Sequence, residues 1–184
     1  DHLDLHSFPT RRSSDLKDES PYAYEYDSAE WDIAMIVVVI NKEKKEISSK
    51  EAMRRTVQTS PYYPAWVLSA QSDIENMKKA IKKHDFRVVG EITQSNALRM
   101  HASMMSAVPP IIYWQPETLN VLRLVDELNK KGLDCYATMD AGPNVKILTR
   151  QSNVELIIDE LSMWFDKQKM IICLPGEGAT ILNE

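Results

Sequence analysis

The chain has 184 residues, of which 43% are apolar and 27% charged, with 27 acidic against 22 basic side chains. This apolar fraction is sufficient for a hydrophobic core and excludes a disordered or fibrous chain. The net charge of -5 argues against a nucleic-acid-binding protein, because phosphate backbones bind to basic surfaces. The longest apolar run, residues 33–40, is far shorter than the roughly 20 residues of a membrane span. We therefore expect no contact with nucleic acid or membrane.

The glycine and cysteine contents exclude two common kinds of site. Only five glycines occur, well below the usual share of about 7%, and no stretch reads GxGxxG or GxxxxGK. The sequence therefore predicts no phosphate-binding loop of its own. Cys135 and Cys173 lie in apolar runs without a neighbouring Cys or His at ligand spacing, which predicts a reduced, cytoplasmic protein without a structural zinc ion.

Residues 1–16, DHLDLHSFPTRRSSDL, show neither helical nor strand periodicity. The segment HSFPTRRSSDL looks like the translation of a short-read sequencing adapter. Such a segment is excluded before the fold is considered. We therefore expect residues 1–16 to be a disordered, non-native tail, and residues 17–184 to form one domain from which upstream protein sequence has been lost.

Hydrophobic periodicity predicts alternating strands and helices after this tail. Strands are expected at residues 31–40, 135–139, 145–149 and 170–174. Helices are expected from residue 48, over 63–84, 86–105 and 117–131, and over 154–164. The predicted fold class is α+β, with an antiparallel sheet of about four strands packed with four or five helices.

Local signals place the ends of several helices. The S-x-x-E pattern at Ser48 predicts a capping box with Met53 and Val57 on the apolar face behind it. The same pattern at Ser152 predicts a second capping box. Gly132 follows a helical pattern at the position of a left-handed C-cap.

Asp140 is the first candidate for chemistry, because it ends a predicted strand and precedes a Gly-Pro turn. Strand alternation places it on the same face as Tyr136 and Thr138. A carboxylate between the apolar Met139 and Ala141 would be poorly solvated, which favours its accepting a proton. The alternative is that Asp140 only closes the turn through a side-chain hydrogen bond.

Ser49 is the second candidate, because it lies in the first turn of a predicted helix. The unpaired N–H groups and the helix dipole attract anions there, so a phosphate could bind. Arg54 and Arg55 follow on the same helix, and one of them could face a ligand. The alternative is an ordinary helix cap with solvated arginines.

His101 and Arg99 lie on an amphipathic helix, where such side chains are mostly solvated or hydrogen-bonded within the fold. The lysines between residues 78 and 83 have helical spacing and no interleaved aromatic residues, which indicates a solvated helix face. Neither group predicts a site.

Four separated blocks closely resemble diphosphomevalonate decarboxylases of the bacterial type. They are TMDAGPNVK (138–146), ISSKEAMRRTVQTSPYYPAW (47–66), EITQSNALRMHA (91–102) and AVPPIIYW (107–114). These enzymes belong to the GHMP kinase superfamily, in which an N-terminal domain and a ferredoxin-like C-terminal domain enclose one cleft. The resemblance implies that residues 17–184 are the C-terminal domain, without the N-terminal domain that binds most of the ATP and Mg2+.

The resemblance also implies a reaction and roles for individual residues. The family uses ATP to convert (R)-5-diphosphomevalonate to isopentenyl diphosphate, ADP, phosphate and CO2. Asp140 matches the catalytic aspartate, and Ser49 matches a serine that contacts phosphate. Lys50 falls on a substrate-diphosphate contact where bacterial relatives commonly have Arg. Lysine keeps the positive charge but cannot form the paired hydrogen bonds that an arginine side chain makes with a phosphate. Ala52 replaces a frequent Gly, which could shift how Met53 lines the substrate pocket.

Two other functions stay open on these residues. A mevalonate-kinase-like enzyme would phosphorylate without decarboxylating, although related 3-kinases lack the aspartate at the Asp140 position. A ferredoxin-like binding module would need no catalysis, and the isolated chain is itself expected to be inactive. The resemblance further implies a homodimeric parent enzyme.

Overall fold

The computed structural model describes residues 26–28 and 30–176, so the tail predicted at residues 1–16 lies outside the described residues. In chain order the elements are β1 Ala34–Val38, α1 Ser49–Thr59, α2 Tyr63–Lys82, α3 Phe86–Met105, α4 Pro116–Lys130, β2 Cys135–Thr138, β3 Val145–Thr149, α5 Val154–Ser162 and β4 Met170–Cys173. The predicted α+β class is confirmed. No helix in these ranges is long and apolar enough to cross a membrane.

The sheet has the strand order β2-β3-β1-β4, and every neighbouring pair is antiparallel. Strands β1 and β2 therefore run parallel to each other with β3 between them, and β3 and β4 likewise flank β1. This split arrangement is the ferredoxin-like topology that the family resemblance implied. The connection from β1 to β2 carries four helices, whereas the connection from β3 to β4 carries α5.

Both faces of the sheet are covered, because alternate strand residues point to opposite sides. On one face, Ile36, Ala137 and Ile147 form the larger core with apolar residues of α4 and α5. On the other face, Tyr136 and Leu148 pack with residues from α2 and α3. The central strands β1 and β3 are therefore mostly buried, with Met35, Val37 and Lys146 half-buried, in line with the buried strand that the apolar run at residues 33–40 predicted.

Helix α3 lies directly against β2, an edge strand of the sheet. A Cβ atom added to Gly90 would lie 1.9 Å from the ring of Tyr136, so only glycine permits this approach. One turn further on, the side-chain oxygen of Gln94 accepts the backbone N–H of Ala137 at 2.8 Å. The helix therefore covers the strand edge, which would otherwise leave unpaired backbone groups.

The structure corrects parts of the predicted helix faces. Helix α1 buries Ala52 and Thr56, whereas Val57 is exposed, because the buried stripe lies one position before the predicted one. Helical spacing also predicts Ile74 on the apolar face of α2 and Trp164 on that of the last helix, yet both side chains are exposed. Periodicity predicts these helices, but it does not show which neighbouring elements pack against each face of a helix.

The predicted capping box at Ser152 is wrong. Ser152 lies inside a short 3-10 turn, and its hydroxyl donates to the carboxylate of Asp32 at 2.7 Å. Asn153 precedes α5 without a side-chain cap hydrogen bond. The partner of Ser152 comes from the segment before β1, so no local pattern could predict it. The left-handed conformation predicted for Gly132 is confirmed, with φ of 85°.

The packing of α3 on β2 predicts a context-dependent effect of Gly90→Ala. We expect the substitution to lower the free energy of unfolding by about 3 kcal/mol, because the new methyl group overlaps the Tyr136 ring. In a Tyr136→Ala background it should be neutral or stabilise by up to about 1 kcal/mol, since alanine favours helices. Urea unfolding of the four variants measures this, and equal effects in both backgrounds would contradict the close approach.

Candidate active site

The turn between β2 and β3 carries Asp140, and its backbone is hydrogen-bonded on two sides. The carbonyl oxygen of Asp140 accepts the N–H of Gly142 at 2.7 Å and lies 3.0 Å from Nε2 of His101. The first contact is local to the turn. The second ties the turn to helix α3, which is held against β2 by the packing described above.

Two further side chains fix the end of the same turn. The side-chain oxygen of Asn144 accepts the backbone N–H groups of Ile40 and Asn41 at 2.8 and 2.9 Å. The hydroxyl of Thr118, in the first turn of α4, donates to the carbonyl of Pro143 at 2.9 Å. The turn is therefore anchored to the end of β1 and to the start of α4 as well as to α3.

The carboxylate of Asp140 forms an ion pair with the ammonium group of Lys146 on β3. Its side chain is about one third exposed, at 33%, so the apolar surroundings expected from Met139 and Ala141 are not what the structure shows. Asp140 lies beyond the end of β2, but its carboxylate reaches Lys146, which is opposite Thr138 on the face that carries Tyr136. The face predicted from strand alternation therefore agrees with the structure. The carbonyl of Asp140, rather than its carboxylate, closes the turn.

Helix α1 begins as the sequence predicted. The hydroxyl of Ser48 accepts the N–H of Glu51 at 3.2 Å, which makes Ser48 the N-cap. The carboxylate of Glu51 instead binds Arg54 at 2.8 Å, so the reciprocal half of the capping box is absent. Ser49 and Lys50 are exposed in the first turn, and Met53 follows half-buried on the next turn.

Lys45 brings this helix start close to the Asp140 turn. Its ammonium nitrogen lies 3.4 Å from the hydroxyl oxygen of Ser49. Its Cε lies 3.4 Å from the position that a Cβ on Gly142 would occupy, and the ammonium group is 6.0 Å from the centroid of the Tyr113 ring. The Asp140 turn and the start of α1, which the sequence predicted as two separate candidates, therefore both lie next to Lys45.

The sequence reasoning missed Lys45 and Tyr113 as members of this site. The hydroxyl of Tyr113 donates to the carbonyl of Ile47 at 2.9 Å, which ties its side chain to the residue just before the Ser48 N-cap. The available signals were the charged run NKEKKE at residues 41–46 and the presence of Tyr113 in one of the four resembling blocks. Neither feature shows from local sequence that the two residues meet.

The two arginines of α1 are partly used within the helix. Arg54 is exposed and forms hydrogen bonds with Glu51. Arg55 is less exposed and lies 3.8 Å from the same carboxylate. Of the two, Arg55 is close enough to affect the Tyr113 hydroxyl, whose pKa is raised by burial and drawn back by this neighbouring positive charge.

His101 is fully buried beside the site, which sequence reasoning treated as an ordinary helix residue. Its ring lies 5.4 Å from that of Trp114. Burial lowers the pKa of His101 to about 4, although the carbonyl of Asp140 acts in the opposite direction. The imidazole is therefore neutral at physiological pH, and because a carbonyl only accepts, Nε2 carries the proton.

Within the described residues, no group of three or more His, Cys, Asp or Glu side chains could hold a metal ion. Asp140 thus supplies a single carboxylate, which pairs with Lys146, and Lys45 lies beside the same turn. Such a surface suits an anionic, phosphorylated ligand better than a protein-held cation.

Comparison with known proteins shows the family to which the chain belongs. The sequence model for the mevalonate 5-diphosphate decarboxylase C-terminal domain matches residues 35–178. The chain belongs to this family. The match takes in every described strand and helix except the first residue of β1, so the family assignment rests on the whole domain rather than on the Asp140 turn alone.

Solved structures of family members share the fold and much of the sequence. The mevalonate diphosphate decarboxylase of Staphylococcus aureus is 42% identical with a TM-score of 0.74, over 77% of this chain and 43% of that protein. The Enterococcus faecalis enzyme is 39% identical with a TM-score of 0.75, over 82% of this chain and 45% of that protein. A further structure, described as MDDEF in complex with MVAPP, AMPPCP and magnesium, is also 42% identical.

Curated relatives extend the family to fungi. The diphosphomevalonate decarboxylase of Debaryomyces hansenii is 30% identical over 71% of this chain and 34% of its own length. The present chain therefore spans about a third of this curated relative and less than half of the bacterial structures. The predicted family and its ferredoxin-like domain are confirmed, while the roles of single residues stay predictions.

The buried imidazole of His101 predicts a pH-dependent stability. Its pKa of about 4 in the folded chain lies below the ordinary value of 6.5, so the unfolded chain binds more protons between these values. Stability should therefore fall with pH from about 7 to 4, with His101 contributing roughly 3 kcal/mol of the loss. Urea unfolding at several pH values would measure it, with His101→Gln as the control that lacks this contribution. Parallel pH profiles for the two proteins would contradict a buried, neutral His101.

Proposed function

We propose that this chain is the C-terminal domain of an ATP-dependent decarboxylase that converts (R)-5-diphosphomevalonate to isopentenyl diphosphate, ADP, phosphate and CO2. Membership of the family supports the reaction class. The observation that carries the proposal is the meeting of Asp140 and the start of α1 across Lys45. One acid and one anion-binding helix start are the two features that a substrate with a hydroxyl group and a diphosphate requires.

In this proposal the start of α1 binds the substrate's diphosphate. Ser49 offers a hydroxyl and backbone N–H groups in the first helical turn, where the dipole favours negative charge. Lys45 adds positive charge beside the Ser49 hydroxyl, and Lys50 adds a second positive charge in the first turn of the helix. Met53, one turn further along, contributes an apolar wall for the carbon chain of the substrate.

Asp140 lies beside the tertiary 3-hydroxyl of the substrate and accepts or orients its proton. ATP supplies the phosphoryl group that this hydroxyl oxygen receives, which turns a poor leaving group into a good one. The 3-phosphate then departs with its bonding electrons while the carboxylate is lost as CO2, and the released electron pair forms the carbon–carbon double bond. The rigid turn serves this role because proton transfer depends on a fixed distance and direction.

ATP and Mg2+ are proposed to bind mainly to the N-terminal part of the complete enzyme. The related structure with AMPPCP and magnesium supports both for the family. The described residues contribute one carboxylate at the site and no cluster for a cation, which agrees with Mg2+ being held largely through phosphate oxygens. A cytoplasmic location and a homodimeric parent enzyme are further expectations from the family resemblance.

In the kinase alternative the substrate is phosphorylated but not decarboxylated. Asp140 distinguishes the two functions, because related 3-kinases lack the aspartate at this position. The inert-module alternative applies to the isolated chain, which presents its candidate site on an open surface. Ser49 and Lys50 are exposed and Asp140 is one third exposed, so the described residues form one wall of a cleft rather than an enclosed pocket.

We expect Asp140→Asn to abolish turnover with little change in substrate affinity, because the amide retains the shape of the side chain but cannot accept the proton. The test uses residues 17–184 joined to the N-terminal part of the Enterococcus faecalis enzyme. Release of phosphate and CO2 from Mg-ATP and diphosphomevalonate is measured. The 184-residue chain alone is the background control and should release neither. Near-normal turnover of the variant would remove Asp140 from the proposed role.

Ser49→Ala and Lys45→Met should mainly weaken binding of diphosphomevalonate. Each removes one contact to a diphosphate, so we expect KM in the joined enzyme to rise about tenfold, with a smaller change in kcat. Lys42→Met, in the same charged run but farther from the Ser48 cap, is the matched control. Unchanged KM in both site variants would place the diphosphate elsewhere.

A further inference from the structure

We propose that His101 is a positioning residue for Asp140: its buried N–H group holds the peptide that follows Asp140 and so fixes the direction of the carboxylate. The inference rests on the proposed function, in which Asp140 lies beside the reacting hydroxyl. It assigns a role to a helix residue that neither the sequence pattern nor the matched family description singles out.

The Asp140 carbonyl uses both of its acceptor positions. Gly142 donates to it from within the turn at 2.7 Å, and Nε2 of His101 donates from α3 at 3.0 Å. Gly142 moves with the turn, so its hydrogen bond cannot locate the turn relative to the rest of the domain. His101 is 39 residues away in sequence and belongs to a long helix, so its hydrogen bond does locate it.

Helix α3 is itself well fixed at the level of β2. Gly90 packs on the ring of Tyr136, and Gln94 accepts the N–H of Ala137. His101 lies two turns beyond Gln94 on the same helix and reaches Asp140, the second residue after the end of β2. Successive residues of α3 thus contact Tyr136 and Ala137 in β2 and then Asp140 in the turn, and His101 makes the last of these three contacts.

The chemical state of His101 suits positioning rather than proton transfer. Its side chain is only 1% exposed and packs beside Trp114, so burial disfavours the imidazolium form. A neutral N–H donor holds the carbonyl without placing another positive charge near Asp140, where Lys146 already forms an ion pair. The backbone of Asp140 is therefore held from α3 and its carboxylate from β3.

The first test uses the 184-residue chain and needs no catalysis. NMR of the unsubstituted chain should show His101 protonated on Nε2 throughout pH 5–8, and protonation on Nδ1 would overturn the proposal. In His101→Leu, which has a similar volume and no N–H, exchange of the Gly142 amide should be about tenfold faster. His101→Gln keeps a neutral N–H at a similar reach and should restore slow exchange.

The second test uses the joined full-length enzyme. We expect His101→Leu to lower kcat about tenfold or more with KM for diphosphomevalonate within about twofold, because misplacing a catalytic group affects the reaction more than binding. His101→Gln should recover most of the loss. Ser103→Ala is the matched control, since Ser103 is equally buried on α3 but donates only to the carbonyl of Arg99, and its kcat should be unchanged.

The outcomes separate this proposal from the proposed function. Full kcat in His101→Leu, or an equal fall in His101→Leu and His101→Gln, would overturn the positioning role even if Asp140→Asn is inactive. If Asp140→Asn instead retains turnover, the proposed function fails, and unchanged Gly142 exchange in His101→Leu would independently refute the structural half of the inference.

Discussion

The close contact between Gly90 and the ring of Tyr136 sets the position of α3, on which the candidate site depends. Without a side chain at residue 90, the helix backbone can lie against an edge strand, and Gln94 then accepts the N–H of Ala137 at the strand's outer edge. The same helix carries His101 to the Asp140 carbonyl. The packing of Gly90 near the start of α3 thus helps to fix the backbone of Asp140, which His101 contacts near the end of the same helix.

The short turn that carries Asp140 is held by hydrogen bonds from three other parts of the fold. Helix α3, helix α4 and the end of β1 each contribute at least one hydrogen bond to it. By contrast, Ser49 and Lys50 are exposed at the start of α1. The acid is therefore placed on the rigid part of the domain, whereas the proposed diphosphate contacts lie on its accessible part. This division suits a reaction in which a proton must move along a fixed path while a charged substrate enters and leaves.

The sequence predicted the elements well because each is strongly periodic and bounded by local signals. The bounds of α3 and the left-handed Gly132 followed from such signals. Failures arose wherever a distant segment decides the outcome. Ser152 binds Asp32 from the segment before β1, and Lys45 meets Gly142 across nearly a hundred residues. His101 was identified as a helix residue, but its partner is a backbone carbonyl, which leaves no trace in the side-chain pattern.

The electrostatics of the site also differ from those of the whole chain. The protein has a net charge of -5, yet Lys146 pairs with the Asp140 carboxylate, Lys45 lies beside the same turn, and Lys50 is exposed at the start of α1. A local excess of positive charge attracts a diphosphate even when the molecule as a whole would repel it. Lys146 already pairs with the Asp140 carboxylate, so a charged donor at position 101 would add a buried cation that competes for the same group. A buried neutral imidazole supplies the hydrogen bond and leaves that balance of charge unchanged.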